Sequence, residues 1–91
     1  MNNYTANKNH AKYNFLYWLK VNNLLNLIDK IHASQTLEQL EDLRSHLFRI
    51  LNEVVVDLDT DRISPESFQS FTFTWQTAVA AARHQETILR N

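Results

Sequence analysis

Apolar residues recur at steps of three and four through three stretches of the chain, which is the spacing of an amphipathic helix. The first stretch predicts a helix from about Ala11 to about Ala33. Residues 1–10 are rich in asparagine and show no periodicity, so we expect a flexible tail there. The predicted inward stripe of the first helix is Trp18, Val21, Leu25, Ile28 and Ile31 or His32, with Leu24 and Leu27 beside it.

The second stretch has the most regular spacing and predicts a helix over about residues 37–58. Thr36, just before the first turn, and Gln39, within it, fit a capping box. In this motif the threonine oxygen accepts an amide N–H of the first turn, and the glutamine side chain turns back toward the cap. The connection to the first helix is short, which predicts that the two helices are antiparallel neighbours. The predicted inward residues are Leu40, Leu43, Leu47, Ile50 or Leu51, Val54 and Leu58.

The third stretch carries two conflicting patterns. Ser64 and Pro65 are typical of an N-cap and a first helical position, which predicts a helix over about residues 65–89. The segment FTFTW, residues 71–75, alternates aromatic residues with threonine, as strands do. Because no second strand is indicated to pair with it, we predict a helix with Phe73 off the inward stripe. The predicted inward residues are Phe68, Phe71 or Thr72, Trp75, Val79, Ala82 and Leu89.

These elements predict an all-α protein, an antiparallel three-helix bundle with helices at about 11–33, 37–58 and 65–89. Residues 11–91 would form a single domain behind the flexible tail. The 91 residues include no glycine and one proline. Hairpins and phosphate-binding loops depend on glycine, so the composition argues against an all-β fold and against nucleotide motifs.

The net charge limits the class of partner, and the cysteine count indicates the redox state of the cellular compartment. A formal net charge of −1 argues against a nucleic-acid-binding protein. The absence of cysteine excludes disulfides and thiolate metal sites, and it is compatible with a reducing compartment. The first ten residues lack the features of a secretory signal. We therefore predict a cytoplasmic protein, with membrane association as the alternative.

Three alternating aspartates separate the second and third helices. Asp57, Asp59 and Asp61 match the first three ligand positions of an EF-hand loop. Arg62 stands where that loop has its glycine, and Phe68 stands where it has a bidentate glutamate. We interpret the segment as a capped turn in which the acids end a helix and stay solvated. A degenerate EF-hand-like, calcium-responsive module is the alternative.

Residues that would carry catalysis are not grouped in the sequence. The histidines form no H-x-x-x-H or H-E-x-x-H pair, and the tight glycine turns that build oxyanion holes are missing. The sequence therefore predicts a non-enzymatic protein without a cofactor. The four histidines are His10, His32, His46 and His84.

Aromatic residues are concentrated in KYNFLYWLK, residues 12–20. Five consecutive apolar residues span more than one helical turn, so they cannot all face one core. Three interpretations stay open: the rest of the protein covers them, they form a contact surface for a partner, or they lie at a membrane interface, where Tyr, Trp and Lys are favoured. The predicted partner-contact residues are Phe15, Tyr17, Trp18 and Phe73.

The run from residue 37 to residue 89 contains DRISPESFQSF, followed by an aromatic residue and then ARHQE. It resembles the soluble helical tails that follow the last membrane segment in some TAXI-type TRAP transporter solute-binding proteins. The resemblance implies a non-enzymatic helical appendage beside a membrane, with KYNFLYWLK on the membrane side. It supplies no binding residues, and the sequence lacks the ligand-binding domain of that family.

The function that the sequence favours is a small, non-catalytic helical domain that binds a protein partner or a second copy of itself. The alternatives are the membrane-adjacent transporter appendage and the calcium-responsive module.

Overall fold

The computed structural model describes the backbone of residues 2–91 and the side chains of residues 15–91. Three helices follow one another along the chain: α1 Asn2–Ala33, α2 Leu37–Asp59 and α3 Pro65–Arg90. All three pack against one another, and residues 2–91 contain no strand, so the predicted all-α three-helix bundle is confirmed. The flexible tail predicted for residues 1–10 lies outside the part of the chain whose side chains are described.

Two long-range hydrogen bonds show how α3 lies along the first helix. The Tyr17 hydroxyl donates to the carbonyl oxygen of Ser67 at 3.0 Å, near the start of α3. The Gln85 side-chain amide donates to the carbonyl oxygen of Ser34 at 2.7 Å, near the end of α3. The start of α3 therefore lies beside the middle of α1, and the end of α3 lies beside the end of α1, so α1 and α3 run in the same direction. The two short connections reverse the chain, and α2 is antiparallel to both.

The starts of α2 and α3 carry the predicted caps. The Thr36 hydroxyl accepts the backbone N–H of Gln39 at 3.1 Å, and the Gln39 side-chain oxygen accepts the backbone N–H of Gln35 at 2.8 Å. The glutamine therefore reaches the residue before the cap. The Ser64 hydroxyl accepts the backbone N–H of Ser67 at 3.1 Å. The contacts of Thr36 and Ser64 each satisfy an amide that the helix itself leaves without an acceptor.

One apolar core runs between the three helices. The stripe predicted for α2 is confirmed, since its members are buried or partly buried against the core. Three buried alanines on α3, rather than large side chains, continue the core toward the end of the bundle. The largest fully buried side chains are Leu24 and Ile31 from α1, Leu40 and Val54 from α2, and Phe71 from α3.

The inward stripe of α1 is rotated relative to the predicted one. Trp18 and Leu25 were predicted to face inward, but both side chains are exposed. The prediction was wrong because this part of α1 is apolar on more than one side, so steps of three and four fit two adjacent stripes equally well. The buried α1 side chains are Tyr17, Val21, Leu24, Leu27 and Ile31.

The segment FTFTW lies within α3 and is helical, as predicted. Residues two apart in a helix are separated by about 200° around its axis. Phe71 is accordingly 0% exposed, whereas Phe73 is 75% exposed on the outer side of α3. The strand-like alternation is thus a coincidence of residue types, and the capped start of α3 decides the conformation.

Phe71 and Phe73 provide a matched test of this helix. Phe71→Ala should lower the free energy of unfolding by about 3–5 kcal/mol, because it removes a fully buried aromatic ring. Phe73→Ala should change it by less than about 0.5 kcal/mol, as expected for a surface substitution. Urea unfolding followed by circular dichroism measures both. Equal losses would mean that both rings face the same side, as they do in a strand.

Candidate functional site

The aspartate-rich segment ends α2 in a Schellman motif. The backbone N–H of Arg62 donates to the carbonyl oxygen of Asp57 at 2.8 Å, and that of Asp61 donates to the carbonyl oxygen of Leu58 at 3.1 Å. Asp61 has a φ of 58°, in the left-handed region where this motif most often has glycine and where aspartate is tolerated. The segment is therefore a capped interhelical turn, built without glycine.

The Asp57 side chain is buried, although the sequence predicted that all three acids would stay solvated. The Lys20 ammonium group donates to one carboxylate oxygen of Asp57. The Arg62 guanidinium lies 3.7 Å from the other oxygen, and Glu53 lies 4.0 Å from Lys20. This cluster joins α1 to the end of α2. The sequence did not single out Lys20, because a lysine beside apolar residues is more often solvated.

A calcium site would require several carboxylates that point to one position and are not already paired with cationic side chains. Asp57 is engaged by Lys20 and Arg62, while Asp59 and Asp61 are exposed. Among the residues that the structure describes, no group of three or more histidine, aspartate or glutamate side chains is placed to hold a metal ion. The arrangement of these three aspartates therefore does not favour a calcium site. The histidines His32, His46 and His84 are exposed, and His10 lies outside the described side chains.

Tyr17, predicted as a contact residue, belongs to the core. Its hydroxyl donates to Ser67, and burial raises the pKa of this hydroxyl above its ordinary value of 10.0, so it stays protonated as a donor. Its ring meets the Trp18 ring edge-on, with 5.6 Å between centroids. Tyr17 therefore connects α1 to α3 inside the bundle, and its ring packs against the ring of Trp18.

The neighbouring apolar residues of α1 lie on its outer side. Phe15 is 70% exposed and Trp18 is 54% exposed. Leu16 and Leu19 are exposed beside them. Phe15, Trp18 and Leu19 are spaced three and four positions apart, so their side chains are neighbours on one helix face. Phe15, Leu16, Trp18 and Leu19 together form the α1 apolar surface.

Phe73, the fourth predicted contact residue, is exposed on a different helix. Phe48 on α2 is another exposed aromatic residue, and it was not among the predicted contact residues. Its ring meets the ring of Trp75 on α3 edge-on, with 6.1 Å between centroids. The spacing of α2 already excludes Phe48 from the inward stripe, so the signal was present in the sequence. The indole N–H of Trp75 is buried and has no acceptor among the described residues.

A second ionic cluster joins α2 to α3 at the other end of the bundle. Arg44 pairs with Glu86 across the two helices and with Glu41 on its own helix. Arg90 lies 2.9 Å from Glu86. The hydrogen bonds from Arg44 and then from Arg90 lower the pKa of the Glu86 carboxyl below its ordinary value of 4.5.

Comparison of the chain with protein family models, curated protein sequences and solved structures gives no match. The resemblance to TAXI-type transporter tails therefore stays a prediction. None of the described helices is long and apolar enough to cross a membrane. A function must accordingly be argued from the surfaces and clusters of this molecule alone.

Asp57 and Asp59 form a matched pair for testing the buried cluster. Asp57→Asn should lower the free energy of unfolding by about 1–3 kcal/mol, because the partly buried Lys20 would lose the nearer of its two carboxylate partners. Asp59→Asn, at the exposed end of α2, should change it by less than about 0.5 kcal/mol. Urea unfolding at neutral pH measures both. A loss from Asp57→Asn as small as that from Asp59→Asn would contradict the structural role of the cluster.

The lowered pKa of Glu86 predicts a pH dependence with a definite sign. Because the unfolded state binds the proton more readily, this ion pair stabilises the fold above pH 4.5 and loses its effect as the pH falls through the folded-state pKa. Glu86→Gln should therefore be less stable than the wild-type protein at pH 7, and the gap should shrink in acid. Asp29→Asn, at an exposed position of α1, is the control. Urea unfolding at pH 7 and at a pH below 4.5 measures the difference in the free energy of unfolding between Glu86→Gln and the wild-type protein. A difference that is the same at both pH values would contradict the prediction.

Proposed function

We propose that this chain is a non-catalytic helical interaction domain that binds through the α1 apolar surface. The observation that carries the proposal is the exposure of four neighbouring apolar side chains within little more than one turn of one helix. Single exposed apolar residues are ordinary on protein surfaces, whereas contiguous groups that include aromatic residues are typical of partner sites. The four residues are Phe15, Leu16, Trp18 and Leu19.

The polar interior supports a structural rather than a catalytic use of the described residues. Its buried polar side chains are Ser34, Asp57 and Gln85. Gln85 and Ser34 join the ends of two helices, and Asp57 holds Lys20 against the end of α2. The side chains of Gln85 and Asp57 are therefore engaged in contacts that hold the helices together, while the Ser34 hydroxyl donates to the carbonyl oxygen of Ile31 at the end of α1.

The partner that we propose is a second copy of the chain. The spacing of Phe15, Trp18 and Leu19 suits helix-on-helix packing, in which rows three and four residues apart interdigitate. A two-fold axis beside α1 would bring the same surface of both copies together, as in most homodimers. The surface is small, so the interface falls toward the lower end of about 1,200–2,000 Å² that stable complexes bury. We expect a weak dimer that forms at high protein concentration.

Serine substitutions on α1 test this proposal. Trp18→Ser, alone or with Phe15→Ser, should raise the dimer dissociation constant by about tenfold or more, since buried tryptophans dominate interface energies. Helicity should be unchanged, because both side chains point away from the core. Sedimentation equilibrium over a wide concentration range measures the association, and circular dichroism measures the helicity.

Ile88→Ser is the matched control, since Ile88 is an exposed apolar residue near the far end of α3. It should leave the dissociation constant unchanged. Phe73→Ser reports whether the interface extends from α1 to α3. A wild-type protein that stays monomeric at every concentration, or a Trp18→Ser protein that associates as the wild type does, would refute self-association.

A membrane-adjacent appendage is the second candidate function. The α1 apolar surface favours it, because tryptophan is a preferred residue at the boundary between lipid and water. The ion pair between Lys20 and Asp57 weighs against it, since one of the two lysines that bound KYNFLYWLK is committed to the bundle. Co-sedimentation with anionic vesicles by a monomeric wild-type protein, lost in Trp18→Ser, would favour this candidate over the homodimer.

A further inference from the structure

A polar groove of about 280 Å³ lies between α1 and α2, on a different part of the molecule from the α1 apolar surface. Each helix contributes three polar side chains, at positions i, i+3 and i+7, which lie along one face of a helix. Leu27 and Ile50 contribute apolar atoms between the two polar rows. The polar side chains are Asn23, Asn26 and Lys30 from α1, and His46, Arg49 and Glu53 from α2.

Three basic side chains line this groove. Among the described residues, Lys30, His46 and Arg49 make no hydrogen bond or ion pair. The one acid that lines the groove, Glu53, is 4.0 Å from Lys20. Lys20 and Arg44, the other lysine and arginine of α1 and α2 whose side chains are described, belong to the two ionic clusters, whereas Lys30 and Arg49 remain available to a ligand.

The antiparallel packing of α1 and α2 gives the groove a direction. Lys20 lies opposite Asp57, so residues later in α1 lie opposite residues earlier in α2. Lys30 is therefore level with His46 and Arg49, while Asn23 is level with Glu53. We call the end of the groove with Lys30 and Arg49 its cationic end; Lys30 lies about 10 Å, the rise of seven helical residues, from the level of Glu53, and Arg49 lies about one turn from it.

We propose that the cationic end of this groove binds the oxyanion of a small carboxylate or phosphate ligand. The Arg49 guanidinium provides a planar pair of donors that matches either group, and Lys30 provides a point charge. The side-chain amide of Asn26, between the two ends, can donate a further hydrogen bond.

The flanking acids limit the size of the ligand. Glu53 lies at one end of the groove, and Asp42 lies beyond Lys30 at the edge of the next cavity. A long polyanion such as a nucleic acid would meet both carboxylates and be repelled. A ligand with one oxyanion and a short body fits between them. This inference does not depend on the proposed interaction through α1.

Titration of the isotope-labelled protein with inorganic phosphate, and separately with acetate, tests the proposal at constant ionic strength. We expect saturable NMR shifts of the Arg49 side-chain N–H and the Asn26 side-chain amide. Saturation by phosphate alone assigns a phosphate ligand, saturation by acetate alone assigns a carboxylate ligand, and saturation by both assigns a general oxyanion site.

Arg49→Gln is the test variant and Arg83→Gln is its control, because Arg83 is an exposed arginine of α3 without an ion pair among the described residues. Arg49→Gln should weaken binding about tenfold or more, and Arg83→Gln should leave it unchanged. The amide spectrum of each variant verifies that it is folded. Shifts that do not saturate, that appear equally at Arg83, or that persist at the same strength in Arg49→Gln overturn the proposal.

Discussion

The position of α1 against the pair formed by α2 and α3 is the constraint on which the rest of this structure depends. Near one end, the Tyr17 hydroxyl reaches the first turn of α3 and Lys20 reaches the last turn of α2. Near the other end, Gln85 of α3 holds the carbonyl oxygen of Ser34, just beyond α1. Polar contacts at both ends of an apolar core fix rotation and register, which apolar packing alone specifies less sharply.

This arrangement determines which surfaces remain for function. Once Tyr17 faces inward, the geometry of a helix places Phe15 and Trp18 on the outer side of α1. The antiparallel register that pairs Lys20 with Asp57 also brings Lys30 and Arg49 to one groove, where neither has an ion pair among the described residues. The apolar surface and the cationic groove are thus two consequences of the same register.

Much of the fold could be predicted from the sequence, because caps and helical periodicity are local signals. The Thr36 and Ser64 caps and the regular stripe of α2 specify the helices without knowledge of their neighbours. The rotation of α1 could not be predicted in the same way, since the run from Phe15 to Leu19 is apolar all round. The choice between Tyr17 and Trp18 depends on an acceptor 50 residues away in the chain. The partners of Lys20 and Gln85 are also distant in the sequence, at separations of 37 and 51 residues.

The rotation of α1 can be tested directly by measuring proton–proton contacts in the dilute, labelled protein by NMR. The account predicts contacts from the Tyr17 ring to Ser67 and its neighbours in α3, and from the Gln85 side-chain amide to Ser34. It also predicts no contacts from the Trp18 ring to Phe71 of α3. Contacts from Trp18 to Phe71, with none from Tyr17 to α3, would place the α1 apolar surface inside the core and contradict the account.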